Sequence, residues 1–368
     1  MSDSDMDRTV SRRDYIASAG AAAGLGFIAG CTGGDDGDGG TDGGATTKPP
    51  TSSGDGGMYE AEVTVTHWPI LMYAPPYQAA MENGYFEEEG IRLTDVVGSS
   101  GGGTTVRNVV TGGLPFGEVS TPGAVNAYYA GAPLSIVAGT TNSPGTINWV
   151  VPSGSEIGDI ADLAGRTVGY TSAGSVTQNT SALSVRRADG VSVDEVEFQA
   201  MGGLSEGLTA IDEGSIDAAA HLDPVFSNHQ QDDRWEVAFW AKDYIDTFQQ
   251  TSVITGPDVK EENPGAVEGF LRARARGVEF VRENPDEAAE IFASHNDGYG
   301  ADVMRAAIEN VEPGRYYTTN GFSVPGLRLV ETGMKNIDLI SRNIEWSEIV
   351  DQSFLPEGKR VDVGEAEQ

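Results

Sequence analysis

The chain of 368 residues is short of three things: cysteine, positive charge and long apolar runs. A single cysteine rules out an internal disulfide and a cysteine-cluster metal site. Lys and Arg number 23 against 56 Asp and Glu, a formal net charge of -33, and so acidic a surface repels nucleic-acid phosphate. Only five of the bases are Lys, and acid excess with scarce Lys looks like adaptation to very salty surroundings. The apolar stretch Ala17 to Gly30 is shorter than the ~20 residues of a membrane-spanning helix. His67, His221, His229 and His295 show neither HExxH nor another ligand spacing, and no Gly-Lys-Ser/Thr loop ending is present. Catalysis therefore finds little support, and no cofactor or metal is expected. With 39% hydrophobic and 8% aromatic content the chain can still build a core, and its length suits one large or two medium domains.

The first thirty residues read as an address. Arg12-Arg13 precedes the weakly apolar run and resembles a twin-arginine export signal. Ile28-Ala29-Gly30-Cys31 resembles a lipobox, in which Cys31 takes a lipid after cleavage. The expected sections are thus 1–30 as signal peptide and 31–57 as a lipid-anchored tether. Residues 32–57 are rich in Gly and Asp without a large apolar side chain until the fold begins, and would span roughly 25–30 Å as a flexible coil. Residues 58 onward keep 47 acids and 19 bases, so most of the acidity belongs to the folded part.

Short apolar runs then alternate with helical stretches, which argues an α/β fold. Strands are expected at Val63–Val65, Ile91–Val97, Phe116–Val119, Leu134–Ala138 and Thr167–Tyr170. A helix opens at Pro75 or Pro76 and ends at Asn83-Gly84. Asn263-Pro264 and Asn284-Pro285 read as capping pairs, and the helix after the first carries Val267, Phe270, Leu271, Val278 and Val281 on one face. Two polar loops, Gly98 to Thr105 and Thr171 to Thr177, have the Gly, Ser and Thr content for backbone N–H groups and hydroxyls to converge on a ligand.

Five blocks in order carry a resemblance. They are Tyr77 to Ile91 (YQAAMENGYFEEEGI), Phe116 to Pro122 ahead of Ala130 to Leu134, Ile157 to Gly169, Gly214 to Pro224, and the helices from Asn263 to Ala293. Together they resemble the substrate-binding proteins of nitrate, sulfonate, taurine and thiamine-pyrimidine-precursor (NMT1-like) ABC importers, here in the form of a haloarchaeal-type lipoprotein. The resemblance implies a type II periplasmic-binding-protein fold: two α/β lobes joined by a two-strand hinge. Lobe one is expected at 58–149 plus 254–355, lobe two at 150–253, with 356–368 as an acidic tail.

The implied role is an extracytoplasmic binding protein that hands a small nutrient to permease and ATPase subunits, as a monomer held at the outer membrane face through Cys31. Ligand contacts are expected from Trp68 and Tyr73 past the first strand, and from Ser99, Ser100 and Thr104 in the first polar loop. Ser120, Thr121 and Asn142 lie at other strand ends, while Ser172, Ser175 and Thr177 belong to the second loop. His221 and Asp223 follow a further strand, where Leu222 stands in place of the family's Trp. The candidate loops contain neither Lys nor Arg, and the aromatics, His221, Glu118 and Asp223 favour a neutral or partly cationic heterocycle over a sulfonate or nitrate. A pyrimidine-synthase-like enzyme or a sensory ectodomain are the alternatives of another class; the first would need a Cys-rich motif that this chain lacks.

Overall fold

The computed structural model describes residues 57–230 and 233–367. The expected signal, Cys31 and residues 32–56 lie outside them. Ten strands follow in chain order: β1 (Tyr59–Thr66), β2 (Ile91–Ser99), β3 (Phe116–Ser120), β4 (Ser135–Thr141), β5 (Ile147–Pro152), β6 (Thr167–Tyr170), β7 (Glu197–Ala200), β8 (Ala218–Leu222), β9 (Trp235–Trp240) and β10 (Thr251–Thr255).

They form two five-stranded sheets, ordered β2-β1-β3-β10-β4 and β7-β6-β8-β5-β9. In the first, β1 runs parallel to β2 and β3, while β10 is antiparallel to β3 and β4. The second repeats this pattern place for place: β6 is parallel to β7 and β8, and β5 is antiparallel to β8 and β9. Each sheet centres one lobe.

The parallel strands each feed a helix, which sets where a ligand can go. After β1, β2 and β3 come the helices Pro75–Glu82, Gly102–Val110 and Thr121–Tyr129. After β6, β7 and β8 come Val176–Arg187, Leu204–Asp212 and Val225–His229. Ligands in such sheets sit beyond the carboxyl ends of the strands, where these loops gather.

Each core is built around stacked rings. Phe116 on β3 stacks on Phe270 with centroids 4.1 Å apart, and Trp149 on β5 stacks on Phe239 at 4.8 Å. Phe270 belongs to the helix Pro264–Glu283, whose Val267, Phe270, Leu271, Val278 and Val281 are all buried, as the apolar spacing predicts. That helix lies so close to Pro75–Glu82 that a Cβ at Gly277 would come 1.9 Å from the Pro76 carbonyl oxygen. Only glycine fits there.

Behind the cores, Glu118 on β3 is fully buried and held from three sides. Tyr77 Oη donates to it at 2.7 Å, Arg274 Nε at 3.2 Å and Thr251 Oγ1 at 3.2 Å. Burial works against the charge on Arg274, but Glu118 outweighs it and the guanidinium pKa rises.

Four expectations need correcting. The chain crosses between sheets over residues 142–146 and 241–250, so β5 lies wholly in lobe two and β10 wholly in lobe one. The borders at 149/150 and 253/254 cut through those strands, because the first strand of each returning segment reads in sequence like the crossing itself. Residues 356–367 are not a free tail: Val363 and Ala366 are buried, and Arg328 Nε donates to the Glu365 carbonyl at 3.0 Å. Neither Asn263 nor Asn284 caps the following helix with its side chain; Asn284 Nδ2 instead donates to the Phe280 carbonyl behind it. Among the described residues no helix is long and apolar enough to cross a membrane.

Candidate functional site

Between the lobes lies a cleft of about 770 Å³. The β1 loop contributes Thr66, His67, Ile70, Leu71 and Tyr73, and the β2 loop Ser100 to Gly103. Ser120, Pro122, Gly123 and Asn126 come from the start of the helix after β3. Lobe two answers with Thr171 to Thr177 after β6, Gly202 to Glu206 after β7, and Leu222 and Val225 after β8. All six parallel-strand loops therefore reach one cavity.

Four helices of nine or twelve residues begin at its wall, two from each lobe: Gly102–Val110, Thr121–Tyr129, Val176–Arg187 and Leu204–Asp212. First-turn N–H groups have no acceptor within their own helix and carry the positive end of its dipole, so the wall favours hydrogen-bond acceptors. Ser120 and Ser175 each cap their helix, accepting from Gly123 N at 3.3 Å and Gln178 N at 3.2 Å. The loop after β6 is braced by a hydroxyl chain, with Thr171 Oγ1, Thr177 Oγ1 and Ser175 Oγ within 2.8–2.9 Å of one another in sequence of contact.

Apolar side chains supply the rest. Leu71, Leu204, Leu222, Val225 and Leu339 line the cleft with Ile70, which at 39% is the exposed large hydrophobic among the described residues. The rings of Tyr73 and Tyr299 line it too. Tyr73 is buried, and Gln250 Nε2 donates to its hydroxyl at 2.9 Å, which fixes the ring. No Lys or Arg is among the lining residues. Desolvation lowers the His67 pKa, which keeps the imidazole neutral at pH 7. Glu206 is the one carboxylate in the lining.

Of the expected contacts, Tyr73, Ser100, Ser120, Ser172, Ser175 and Thr177 line the cleft. Seven others are turned elsewhere. Trp68 packs edge-on against His295, ring centroids 6.4 Å apart. The Ser99 hydroxyl lies 2.5 Å from that of Thr105, and the Thr104 hydroxyl accepts from Arg107 Nη2 at 2.9 Å. Thr121 pairs with Ser252 at 2.7 Å, and Asn142 Oδ1 accepts from Thr247 Oγ1 at 2.9 Å. His221 is buried against His229 at 3.1 Å, and burial together with that neighbour pushes its pKa down to about 3. Asp223 is buried and accepts from Ser227 Oγ at 2.6 Å and Asn310 Nδ2 at 3.2 Å. These side chains brace the loops, because a loop end must satisfy its own buried polar groups before it can offer any to a ligand.

The cleft also holds residues that local reasoning passed over: Asn126, Leu204, Glu206, Tyr299 and Leu339. Gly202-Gly203-Leu204-Ser205 follows a strand and opens a helix, the same pattern as the two polar loops that were readable. The run Gly203 to Gly207 has Gly-x-Ser-x-Gly spacing, which marks a hydrolase only where an imidazole serves the serine. Among the described residues no imidazole hydrogen-bonds the Ser205 hydroxyl. Tyr299 and Leu339 come from loops after the C-terminal helices, where nothing nearby in sequence points to the cleft.

Residues 72–288 match the family described as NMT1/THI5 like. A formylaminopyrimidine-binding protein of Halalkalibacterium halodurans is 27% identical over 260 residues, covering 69% of this chain and 76% of that protein. The periplasmic aliphatic sulphonate binding protein SsuA of Escherichia coli superposes with a TM-score of 0.67 at 18% identity, over 82% of this chain and 95% of SsuA. The Candida albicans CA3427 gene product, described as having the generic periplasmic binding protein fold, superposes with a TM-score of 0.63 at 14% identity, over 80% and 97% of the two chains. The structural likenesses establish the two-lobe binding-protein fold.

Proposed function

The chain belongs to the NMT1/THI5-like family, and from that premise we propose that it is the extracytoplasmic solute-binding component of an ABC importer, taking an uncharged heterocycle of the formylaminopyrimidine kind. The observation that carries this reading is the cleft. All six parallel-strand loops meet around it, three helix N-termini (Gly102–Val110, Val176–Arg187 and Leu204–Asp212) offer N–H donors, and no cationic side chain is among its lining residues. A formyl oxygen and ring nitrogens are acceptors suited to those donors, and a flat ring suits the apolar and tyrosine walls.

The lobes close on the solute about the crossings at 142–146 and 241–250, and the closed form docks on permease and ATPase subunits. Residues 1–30 are the twin-arginine signal, and Cys31 carries the lipid that holds a monomer at the outer membrane face. A small anion such as a sulfonate is the second reading, favoured by the same helix N-termini, which can hold an anion without Lys or Arg.

Native mass spectrometry of the protein purified from its own cells tests the reading. A co-purifying pyrimidine-sized molecule is expected, lost on unfolding. Protein that stays empty when offered formylaminopyrimidine and alkanesulfonate in excess would overturn it.

A further inference from the structure

The cleft has one electrostatic asymmetry that the binding reading leaves unused. Two of its helix N-termini, at Gly102–Gly103 and Val176–Thr177, present N–H donors with no acidic side chain in the first turn. At the third, Thr121–Tyr129, Thr121 N donates to the Gln250 carbonyl, Gly123 N to Ser120 Oγ, and Pro122 has no N–H. The fourth, Leu204–Asp212, carries Glu206 in its first turn, where the carboxylate offsets the local dipole. Glu206 lines the cleft, and among the described residues no hydrogen bond or ion pair engages its carboxylate. Beside it are Gly203 and Leu204, so an approaching group meets a carboxylate at the edge of an apolar wall.

We infer that Glu206 is the specificity-determining residue of the cleft: it accepts from an N–H donor on the ligand and turns away molecules that carry only acceptors. The inference rests on the binding reading above and deepens it. Two donor corners and one acceptor corner select a ligand with both kinds of group, such as an aminopyrimidine bearing a formyl oxygen. An alkanesulfonate has acceptors and net negative charge and no N–H; it satisfies the two donor corners and is repelled by Glu206. Specificity then comes from a repulsive element as well as an attractive one.

Titration calorimetry on the full chain tests this with two probes, formylaminopyrimidine and hexanesulfonate, against the native protein, Glu206→Gln and Glu206→Asp. The expected result is that Glu206→Gln weakens the pyrimidine by about tenfold and tightens the sulfonate severalfold, while Glu206→Asp keeps the native preference in weaker form. Unchanged thermal melting shows that the exposed position is tolerated. If Glu206→Gln binds both probes as the native protein does, the inference falls and the binding reading stands. If the native protein binds the sulfonate and ignores the pyrimidine, the inference falls together with the heterocycle reading, and the small-anion reading stands.

Discussion

The two lobes each bury a carboxylate at the corresponding strand of the same sheet order, one within the strand and one just past its end, and treat it in opposite ways. Glu118 sits on β3, next to β1; Asp223 follows β8, the strand at the corresponding place next to β6. Glu118 meets a buried guanidinium, a phenol and a hydroxyl, so its charge is balanced inside lobe one. Asp223 accepts only from neutral donors, Ser227 and Asn310, with the Lys242 charge farther away. Burial consequently raises its pKa to about 6, against the lowering effect of those hydrogen bonds. Asn310 ends a helix of lobe one, so the weakly satisfied carboxylate ties the two lobes together, while the fully paired one stiffens a single lobe. Neither is free to meet a ligand, and the cleft must recognise its solute with loops and helix ends.

Removing one partner of the paired carboxylate should break the comparison most strongly. Arg274→Met leaves Glu118 buried and unpaired, at a cost of about 3–5 kcal/mol in denaturant unfolding. Adding Glu118→Gln to that variant should recover much of the loss; a cost for Arg274→Met below about 1 kcal/mol would show the pair to be incidental.

A smaller effect is expected at Asp223, and its sign follows from the raised pKa. Its folded-state pKa of about 6 lies above the ordinary 3.8, so the native state holds the proton more tightly. The contribution is full below about pH 4 and is lost as pH rises through 6, up to about 3 kcal/mol. Asp223→Asn removes this dependence, and the stability of the native protein relative to the variant should fall between pH 4 and 7. A flat difference would mean that Asp223 is as well compensated as Glu118.

The smallest effects test where the lobes are alike. Ser120→Ala and Ser175→Ala each remove one helix cap at the cleft, and each should lower stability by about 1 kcal/mol. Unequal losses would show that the two walls are not equivalent.

Much of the architecture is legible from local pattern alone. Thr167–Tyr170 is a strand from end to end as expected, and the apolar face of Pro264–Glu283 is buried as its spacing predicts. The resemblance carries the two-lobe arrangement, which no single strand could reveal. The polar loops after β2 and β6 are legible as cleft walls by composition. Which hydroxyl within a loop faces the ligand is not, since Ser99 and Ser100 are chemically alike and differ only in which side of the strand end they leave. Asp223 and His221 mislead for a related reason. A polar residue at a strand end signals either a ligand contact or a brace, and burial decides between them.

Small-angle scattering of the full chain with and without formylaminopyrimidine tests the central claim most directly, that two lobes close over one solute. The account predicts a smaller radius of gyration once the pyrimidine saturates the cleft, with Glu206→Gln needing more ligand for the same compaction. Scattering that stays unchanged at saturating pyrimidine, and at saturating hexanesulfonate as well, would contradict it.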